Sequence, residues 1–303
     1  MFKKIYYKLF KSKEKYNKFK LDLIILKQKK IFEKKLKKEL ISITSSIESK
    51  KILNFLHSGH CGDLIYSLPI IKELSKTHQC NLYLGIGKKI TGDYPKHPAK
   101  NVYIDTRIAD QILPLLKFQS YINEVKIHSD EDIDVNLDLF RDFPVNLSFN
   151  SCRWYFHITG VHTDLSKPYL EVDQHENIKK KIVILRTFRA RNHFINYKFL
   201  NNLNEDLVFI GLKEEFEDLN KDIPKLKHYE PKNFFEMSKI IKSSKFFIGN
   251  QSVAFAIAES LKIPRLLECR PDFPVVQPVG GEGYDFYYQI HFEKWVKYLN
   301  TDR

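Results

Sequence analysis

The sequence has few of the features that mark secreted or membrane-spanning proteins. It holds only four cysteines in 303 residues, and they are scattered without a CxxC pair, so a dense disulfide framework is not expected. No apolar run approaches the roughly 18 residues that cross a bilayer. The N-terminus also lacks the apolar core and small-residue cleavage site of a signal peptide. We therefore expect a cytoplasmic protein with reduced thiols.

The first fifty residues lack glycine, proline and arginine, and they hold sixteen lysines against five acidic residues. This segment carries a net charge of +11 of the chain's +13, which leaves +2 for the rest. Its apolar residues recur at helical spacing: Phe2, Ile5, Tyr6, Leu9, Phe10, Ile31, Phe32, Leu36 and Leu40. The pattern predicts a basic arm of one or two amphipathic helices.

Two interpretations of the arm are open. A basic amphipathic helix can lie on an anionic membrane, which would place the protein peripherally on the inner membrane face. The same apolar face can instead pack against the body or a sister subunit, which would make the protein a homo-oligomer. Nucleic acid is disfavoured as a partner, because the arm has no arginine and the rest has no nucleic-acid motif.

From residue 51 onward, short apolar runs alternate with helical patterns. Strand-like runs are predicted at 52–56, 81–85, 125–127, 135–139, 182–185, 207–211, 245–249 and 264–268, and helices at 64–76, 108–116, 234–243 and 253–261. This alternation favours parallel sheets covered by helices on both faces. At about 150 residues a domain, we expect an α/β protein with two Rossmann-like domains, 51–175 and 176–303, after a helical arm at 1–50.

Loops after strands are the places where open α/β sheets bind ligands. The first such loop, 57–63, contains two glycines and ends at Asp63 before a helix. Asp63 is interpreted either as the helix N-cap or as a carboxylate that takes a proton from a sugar hydroxyl. His57, His60 and Cys61 raise the question of a metal, but spacing places no fourth ligand, so no metal site is predicted.

Two further loops carry anion-binding chemistry. The loop after 182–185 holds Arg186, Thr187, Arg189, Arg191 and His193, which suits a diphosphate because arginine binds phosphate oxygens bidentately; the alternative is an exposed basic loop.

The loop between 245–249 and the helix at 253–261 holds Asn250, Gln251 and Ser252. Free amides and a hydroxyl at a helix N-terminus predict an anion site, or Ser252 is simply the helix cap.

Three stretches resemble one family. HCGDLIYSLPIIKEL at 60–74 resembles the opening GD-x4-LP motif of glycosyltransferase family 9, the ADP-heptose:lipopolysaccharide heptosyltransferases. VFIGLKEEFEDL at 208–219 and KFFIGNQSVAFAIAESLKIP at 245–264 are similar to later segments of that family. The order and spacing fit over 51–270 and leave the arm outside.

The resemblance implies a GT-B fold, in which the first domain binds the acceptor and the second binds a nucleotide-sugar. It implies a glycosyltransferase that needs no metal and no cofactor, and that moves a sugar to a glycan, lipid-linked or envelope acceptor. Asp63 takes the place of the catalytic aspartate, with His60 and Gly62 beside it on the substrate side. Thr187 to His193 match the phosphate-binding segment, and Lys213 and Glu214 lie near the ribose or base contact.

The sequence departs from the family in the third loop. Gln251, Ser252 and Val253 stand where the family has an Asp-Ser/Thr-Gly run, and Ala256 replaces a nearby histidine. These changes leave the donor sugar open. They also keep two alternatives: a degenerate GT-B domain that binds nucleotide or glycan without catalysis, and a GT-B nucleotide-sugar epimerase.

Overall fold

A computed structural model of the chain describes residues 2–90, 99–144, 147–270, 272 and 275–301. The side chain of Phe2, one of the apolar positions predicted for the arm, lies outside the described part. Two separate parallel sheets form the body, each with helices packed on it, as expected for an α/β protein.

The first sheet has the order β3-β2-β1-β4, and all of its pairs are parallel. Its strands are β1 Ile52–His57, β2 Gln79–Leu84, β3 Glu124–Ile127 and β4 Val135–Asn136. Its helices are α4 Cys61–Leu74, α5 Thr106–Lys117 and α6 Cys152–Thr159. The strand predicted at 135–139 is only two residues long, because the chain turns into a 3-10 helix at Leu137–Asp142.

The second sheet has the order β10-β9-β8-β5-β6-β7 and is also parallel throughout. Its strands are β5 Ile182–Leu185, β6 Leu207–Phe209, β7 Lys227–His228, β8 Phe246–Asn250, β9 Arg265–Glu268 and β10 Gly283–Phe286. Its helices are α7 Lys213–Asn220, α8 Phe234–Ser243, α9 Val253–Leu261 and α10 Gln289–Asn300. Buried on both faces, β5 and β8 read as continuous apolar runs.

Strand order places a switch point in each sheet. The chain steps outward from β1 to β3 and then returns to the other side of β1 with β4, so the first switch lies between β1 and β4. In the second sheet, β6 and β7 are added on one side of β5, and β8, β9 and β10 are added on its other side. The switch therefore lies between β5 and β8. Ligands of open parallel sheets bind at such points, beyond the carboxyl ends of the strands.

The domains meet through α4 and α9. Leu64, Ile65 and Leu68 of α4 and Ala254 and Ala258 of α9 are fully buried in one apolar core that continues into both domains. The helices approach closely at Gly62, where a Cβ would be in ordinary van der Waals contact, at 3.9 Å, with the Ser252 carbonyl oxygen and the Val253 backbone nitrogen. Residues 161–181 cross between the domains without helix or strand.

The arm is helical but only partly independent of the body. It consists of α1 Phe2–Phe10, α2 Lys13–Ile31, a π-helical turn at Phe32–Leu36 and α3 Lys37–Ser49. Leu36 and Ile43 are buried against the first domain, and Lys35 pairs with Asp142 at 3.2 Å. Within the described residues, no helix is both long and apolar enough to cross a membrane.

Candidate functional site

Four loops surround the two switch points. In the first domain they follow β1 and β4, and in the second they follow β5 and β8. The loop after β1 leads into α4, and the loop after β8 leads into α9. Because α4 packs against α9, the loops of the two domains lie near each other. The candidate site is therefore the region where the start of α4 meets the start of α9 and the four loops converge.

Asp63 lies at the third position of α4, so the prediction that it is the N-cap is wrong. The helix begins at Cys61, His60 occupies the cap position, and the His60 side chain makes no capping hydrogen bond. The His60 ring instead packs edge-on against Tyr103, with 4.7 Å between ring centroids. The Asp63 carboxylate points to a partner on another strand's loop.

That partner is Arg141, which the sequence reading missed. Its Nη2 lies 3.1 Å from Oδ2 of Asp63, and its guanidinium packs on the rings of Tyr103 and Phe140 at 4.6 and 4.2 Å. A side chain at Gly59 would collide with Nη2, so the glycine leaves the space that Arg141 fills. Its buried Nη1 has no hydrogen-bond partner within the described part of the chain.

The electrostatics of Asp63 combine two opposing effects. Burial raises the pKa of the Asp63 carboxyl, and the Arg141 guanidinium lowers it, so the pKa lies above the ordinary value. Its side chain stays 22% exposed, which leaves the carboxylate open to a ligand. A carboxylate with a raised pKa that remains accessible is a stronger general base than a free aspartate.

A hydrogen-bonded chain holds the first turn of α4. The backbone N–H of Gly59 donates to Nδ1 of His57, which makes Nε2 the protonated nitrogen. Nε2 donates to the Tyr155 hydroxyl at 3.0 Å, and this hydroxyl donates to the Asp63 carbonyl oxygen at 2.8 Å. His57 therefore acts as a structural residue in its neutral form.

Burial also lowers the pKa of His57 from its ordinary value of 6.5 to about 4. Between these pH values the unfolded chain binds more protons than the folded chain, so stability is full above pH 6.5 and falls as pH drops toward 4. The loss amounts to about 3 kcal/mol at one pKa unit per 1.36 kcal/mol.

We expect His57→Gln, whose amide can make both hydrogen bonds, to lose this part of the pH dependence. Urea unfolding of both proteins from pH 7 to pH 4 measures the free energy of unfolding at each pH. If both proteins lose the same free energy over this range, the prediction is wrong.

Asp138 joins three loops at the same sheet edge. One oxygen of its buried carboxylate accepts from the Ser58 backbone N–H at 3.1 Å, and the other accepts from Lys88 at 2.8 Å. The loops after β1 and β2 are therefore fixed to the segment that follows β4. Both oxygens of the Asp138 carboxylate are hydrogen-bonded within the protein, so we assign Asp138 a structural role.

In the second domain, Arg186 does not offer its guanidinium to a ligand. The side chain is buried and pairs bidentately with Glu268 at 2.7 and 2.8 Å, and it donates to the carbonyls of Asn192 and Ile195. Glu268 also accepts from the Tyr197 hydroxyl and the Asn192 backbone N–H. Arg186 therefore supports the basic loop from its buried side. This buried pairing differs from the diphosphate contact that the sequence predicted for Arg186.

The other predicted residues of this loop differ in exposure, and Thr187 and Arg191 are only partly exposed. Arg189 and His193 are exposed, and Arg191 packs on the Phe188 ring at 4.4 Å and pairs with Asp218 at 2.5 Å. The Nε and Nη2 atoms of Arg191 are buried and have no hydrogen-bond partner among the residues that the structure describes. Arg191 accordingly retains donors that a bound anion could engage.

A further acidic side chain in contact with the basic loop is Glu215, which the sequence did not single out. Glu215 is buried and accepts from the Phe188 backbone N–H at 3.1 Å, and burial raises the pKa of its carboxyl. Lys213 and Glu214, the positions predicted near the ribose or base, are exposed on the first turn of α7. Successive side chains on a helix point in different directions, so Glu215 points toward the loop after β5 whereas Glu214 points to solvent.

The loop after β8 is joined to the loop after β5. The Asn250 side chain accepts from the Thr187 backbone N–H at 2.9 Å and from its hydroxyl at 3.1 Å, and it donates to the Thr187 carbonyl. Ser252 caps α9, accepting from the Phe255 N–H at 3.3 Å. Gln251 and Ser252 are partly exposed at the start of α9, whereas Ala256 is fully buried.

The structure thus brings Gly62 of the first domain close to Ser252 and Val253 of the second, with His60 and Asp63 flanking Gly62 at the start of α4 and Gln251 preceding Ser252. Within the described ranges, no group of three or more histidine, cysteine, aspartate or glutamate side chains could hold a metal ion. His57, considered earlier as a ligand, is committed to Tyr155 and Gly59.

No family model and no curated protein matches the sequence, but solved structures match the fold. A glycosyl transferase family 9 protein from Veillonella parvula DSM 2008 has a TM-score of 0.52 at 11% identity, over 84% of this chain and 90% of that one. The E. coli heptosyltransferase WaaC with ADP has a TM-score of 0.51 at 9% identity, over 82% and 99%.

A third match is the dodecameric iron-containing heptosyltransferase TibC with ADP-D-beta-D-heptose, whose TM-score is 0.50 at 15% identity. It covers 77% of this chain and 62% of that one. The two sheets, their switch points and these matches define the fold as GT-B: two Rossmann-like α/β domains, here with a helical N-terminal arm.

Proposed function

We propose that the protein is a glycosyltransferase that moves a sugar from a nucleoside-diphosphate donor to a hydroxyl of a glycan or lipid-linked envelope acceptor. The observation that carries this proposal is the placement of an accessible carboxylate, Asp63, at the first switch point, opposite the N-terminus of α9 at the second. The fold shared with WaaC, which was solved with ADP, supports a nucleotide as the donor's carrier.

In the proposed reaction, Asp63 accepts the proton of the acceptor hydroxyl, and the hydroxyl oxygen attacks the anomeric carbon of the donor sugar. The bond between this carbon and the diphosphate oxygen breaks, and the nucleoside diphosphate leaves. Arg141 holds one oxygen of Asp63, and the other, which accepts no hydrogen bond from the residues that the structure describes, would face the acceptor. The donor is a substrate, and the scheme uses no cofactor.

The second domain would bind the leaving group. Backbone N–H groups in the first turn of α9 are suited to the diphosphate, since a helix N-terminus favours negative charge. The Ser252 hydroxyl, which donates to the Asn250 carbonyl oxygen, would turn from that partner to reach the diphosphate. Thr187 is held next to Ser252 through Asn250. Arg189, Arg191 and His193 rim the same loop, and the start of α7 with Lys213 and Glu214 would contact the nucleoside. Gln251 would take the donor-sugar side.

A thermal-shift screen against ADP-, GDP-, UDP- and CMP-sugars tests the donor site. A ligand at a hundred times its dissociation constant stabilises the folded state by about 2.7 kcal/mol, so one donor class is expected to raise the melting temperature by several degrees. The matching nucleoside without phosphates serves as the control and is expected to give a much smaller shift. A flat response to all four classes would contradict the proposal.

An assay for the release of nucleoside diphosphate, run with the donor that gives the thermal shift, separates the transferase from a degenerate binding domain. Gln251 and Val253 replace the acidic and glycine residues of the family's third loop, and a domain that only binds would show the thermal shift without releasing nucleoside diphosphate. Release of nucleoside diphosphate from the stabilising donor, followed by chromatography, is the outcome that the transferase predicts.

A further inference from the structure

The N-terminal part of the arm projects from the body as a stalk. One helix runs without interruption from Lys13 to Ser49, with a π-helical turn in its middle. Its buried residues begin at Leu36, and α2, described over its full length, has none. At 1.5 Å per residue, the 19 residues of α2 extend about 28 Å beyond the segment that contacts the body at Lys35 and Leu36.

The tip of this stalk is a helical hairpin. Ser12 breaks the chain between α1 and α2 and caps α2 through the Lys15 N–H. The α1 helix folds back so that Tyr7 stacks on Phe19, with ring centroids 4.3 Å apart. We call α1 and α2 together the tip.

Large apolar side chains cover the tip and remain exposed to solvent. Nine of them, with exposed fractions from 39% to 71%, lie on α1 and α2 at Ile5, Tyr6, Leu9, Phe10, Leu21, Leu23, Ile24, Ile25 and Leu26. Together they expose on the order of 1,000 Å², which is a sum over α1 and two sides of α2 and not one contiguous patch. A stable interface takes about 800 Å² from each partner, so the tip is large enough to be one.

The apolar residues of α2 form two faces on opposite sides of the helix. At 3.6 residues per turn, Leu21, Ile24 and Ile25 project to one side, and Leu23 and Leu26 project to the side roughly 180° away. Most of the lysines fall on the flanks between these faces, at Lys13, Lys15, Lys18, Lys20, Lys27 and Lys29, whereas Lys30 lies on the side of Leu23 and Leu26, one turn beyond Leu26. A helix with apolar residues on opposite sides needs packing partners on both of them.

A lipid surface does not satisfy this arrangement. A helix that lies on a membrane buries one face and leaves the opposite face in water. End-on insertion would carry the lysines of α1 and early α2 into the bilayer, and each charged residue costs about 2.5–3.5 kcal/mol at the bilayer centre. Other helices of the same kind cover both faces and leave the lysine flanks in water.

We propose that the tip is an assembly element that binds the tip of a second copy of this chain in a helical bundle. The Tyr7–Phe19 contact already covers part of one α2 face within the chain, and the partner's α1 and α2 cover the rest. Because the flanking lysines of the two copies repel each other, added salt should tighten this association. Attachment of lysines to anionic lipid would instead weaken with salt.

Sedimentation equilibrium of the full chain tests the proposal. We expect a mass of at least two chains and a smaller dissociation constant at 0.5 M than at 0.1 M salt. Leu23→Gln/Leu26→Gln and Ile24→Gln/Ile25→Gln each remove one face while keeping charge and helix propensity. Each pair is expected to raise the dissociation constant at least tenfold, with an unchanged melting temperature because no buried side chain is altered.

Ile290→Gln is the matched control, since Ile290 is 73% exposed on α10 in the second domain; it should leave the mass unchanged. Two results would overturn the proposal. One is an effect confined to a single face of α2. The other is a chain that stays monomeric at both salt concentrations and floats with phosphatidylcholine–phosphatidylglycerol vesicles in low salt only, which would assign the tip to the membrane.

Discussion

Replacing Asp63 with asparagine is expected to slow sugar transfer by about 10²–10⁴-fold, the contribution of a general base. Asparagine keeps the size of the side chain and can still accept the hydrogen bond from Arg141, but it cannot take the acceptor's proton. Donor affinity should stay close to that of the parent protein, because the diphosphate is proposed to bind on the other domain. Initial rates of nucleoside diphosphate release measure the effect.

Asp110→Asn provides the control for this change, since Asp110 is an exposed aspartate on α5. It should transfer sugar at the parent rate. If Asp63→Asn also does so while donor binding persists, Asp63 has only its structural contact with Arg141, and the base must be sought elsewhere.

Replacing Arg186 with alanine is expected to destabilise the folded protein by about 3–5 kcal/mol, because it leaves a buried charge without its partner. Glu268 is fully buried and forms a bidentate pair with Arg186. Urea denaturation measures the change in the free energy of unfolding. Arg189→Ala, on the same loop but exposed, should change stability by less than about 0.5 kcal/mol.

The double variant Arg186→Met/Glu268→Leu sharpens this test. Removing both charges should restore much of the stability lost in Arg186→Ala, since no uncompensated carboxylate is left. An Arg186→Ala protein as stable as Arg189→Ala would contradict the buried pair and return Arg186 to the ligand-facing side of the loop.

The elements that bury apolar runs were predictable, and the short ones were not. Strands such as β1 and β5 show their burial pattern in the sequence, and α9 begins and ends where its capping serine and period predict. The β7 and β10 strands escaped detection because they lie at sheet edges, where few positions are buried and the apolar signal is weak. The early start of α4 was missed because Asp63 has the chemistry of a cap without occupying its position.

The candidate site was predictable in outline but not in its contacts. Post-strand loops identified Asp63 and Ser252, since position after a strand is visible in sequence. Arg141 was missed because a strand was predicted at 135–139. The strand ends at Asn136, and the 3-10 helix that follows carries Arg141 to Asp63. The three arginines of the second loop look alike in sequence, and only burial separates Arg186 from Arg189.

The central claim is that a nucleotide-sugar binds in the cleft beside the point where the start of α4 meets the start of α9. A crystal structure with the donor that gives the largest thermal shift tests it directly. The account predicts that diphosphate oxygens lie within about 3 Å of the Ser252 hydroxyl or the N–H groups of the first α9 turn, with the sugar facing Asp63. A donor bound outside this cleft, or with its sugar turned away from Asp63, would contradict it.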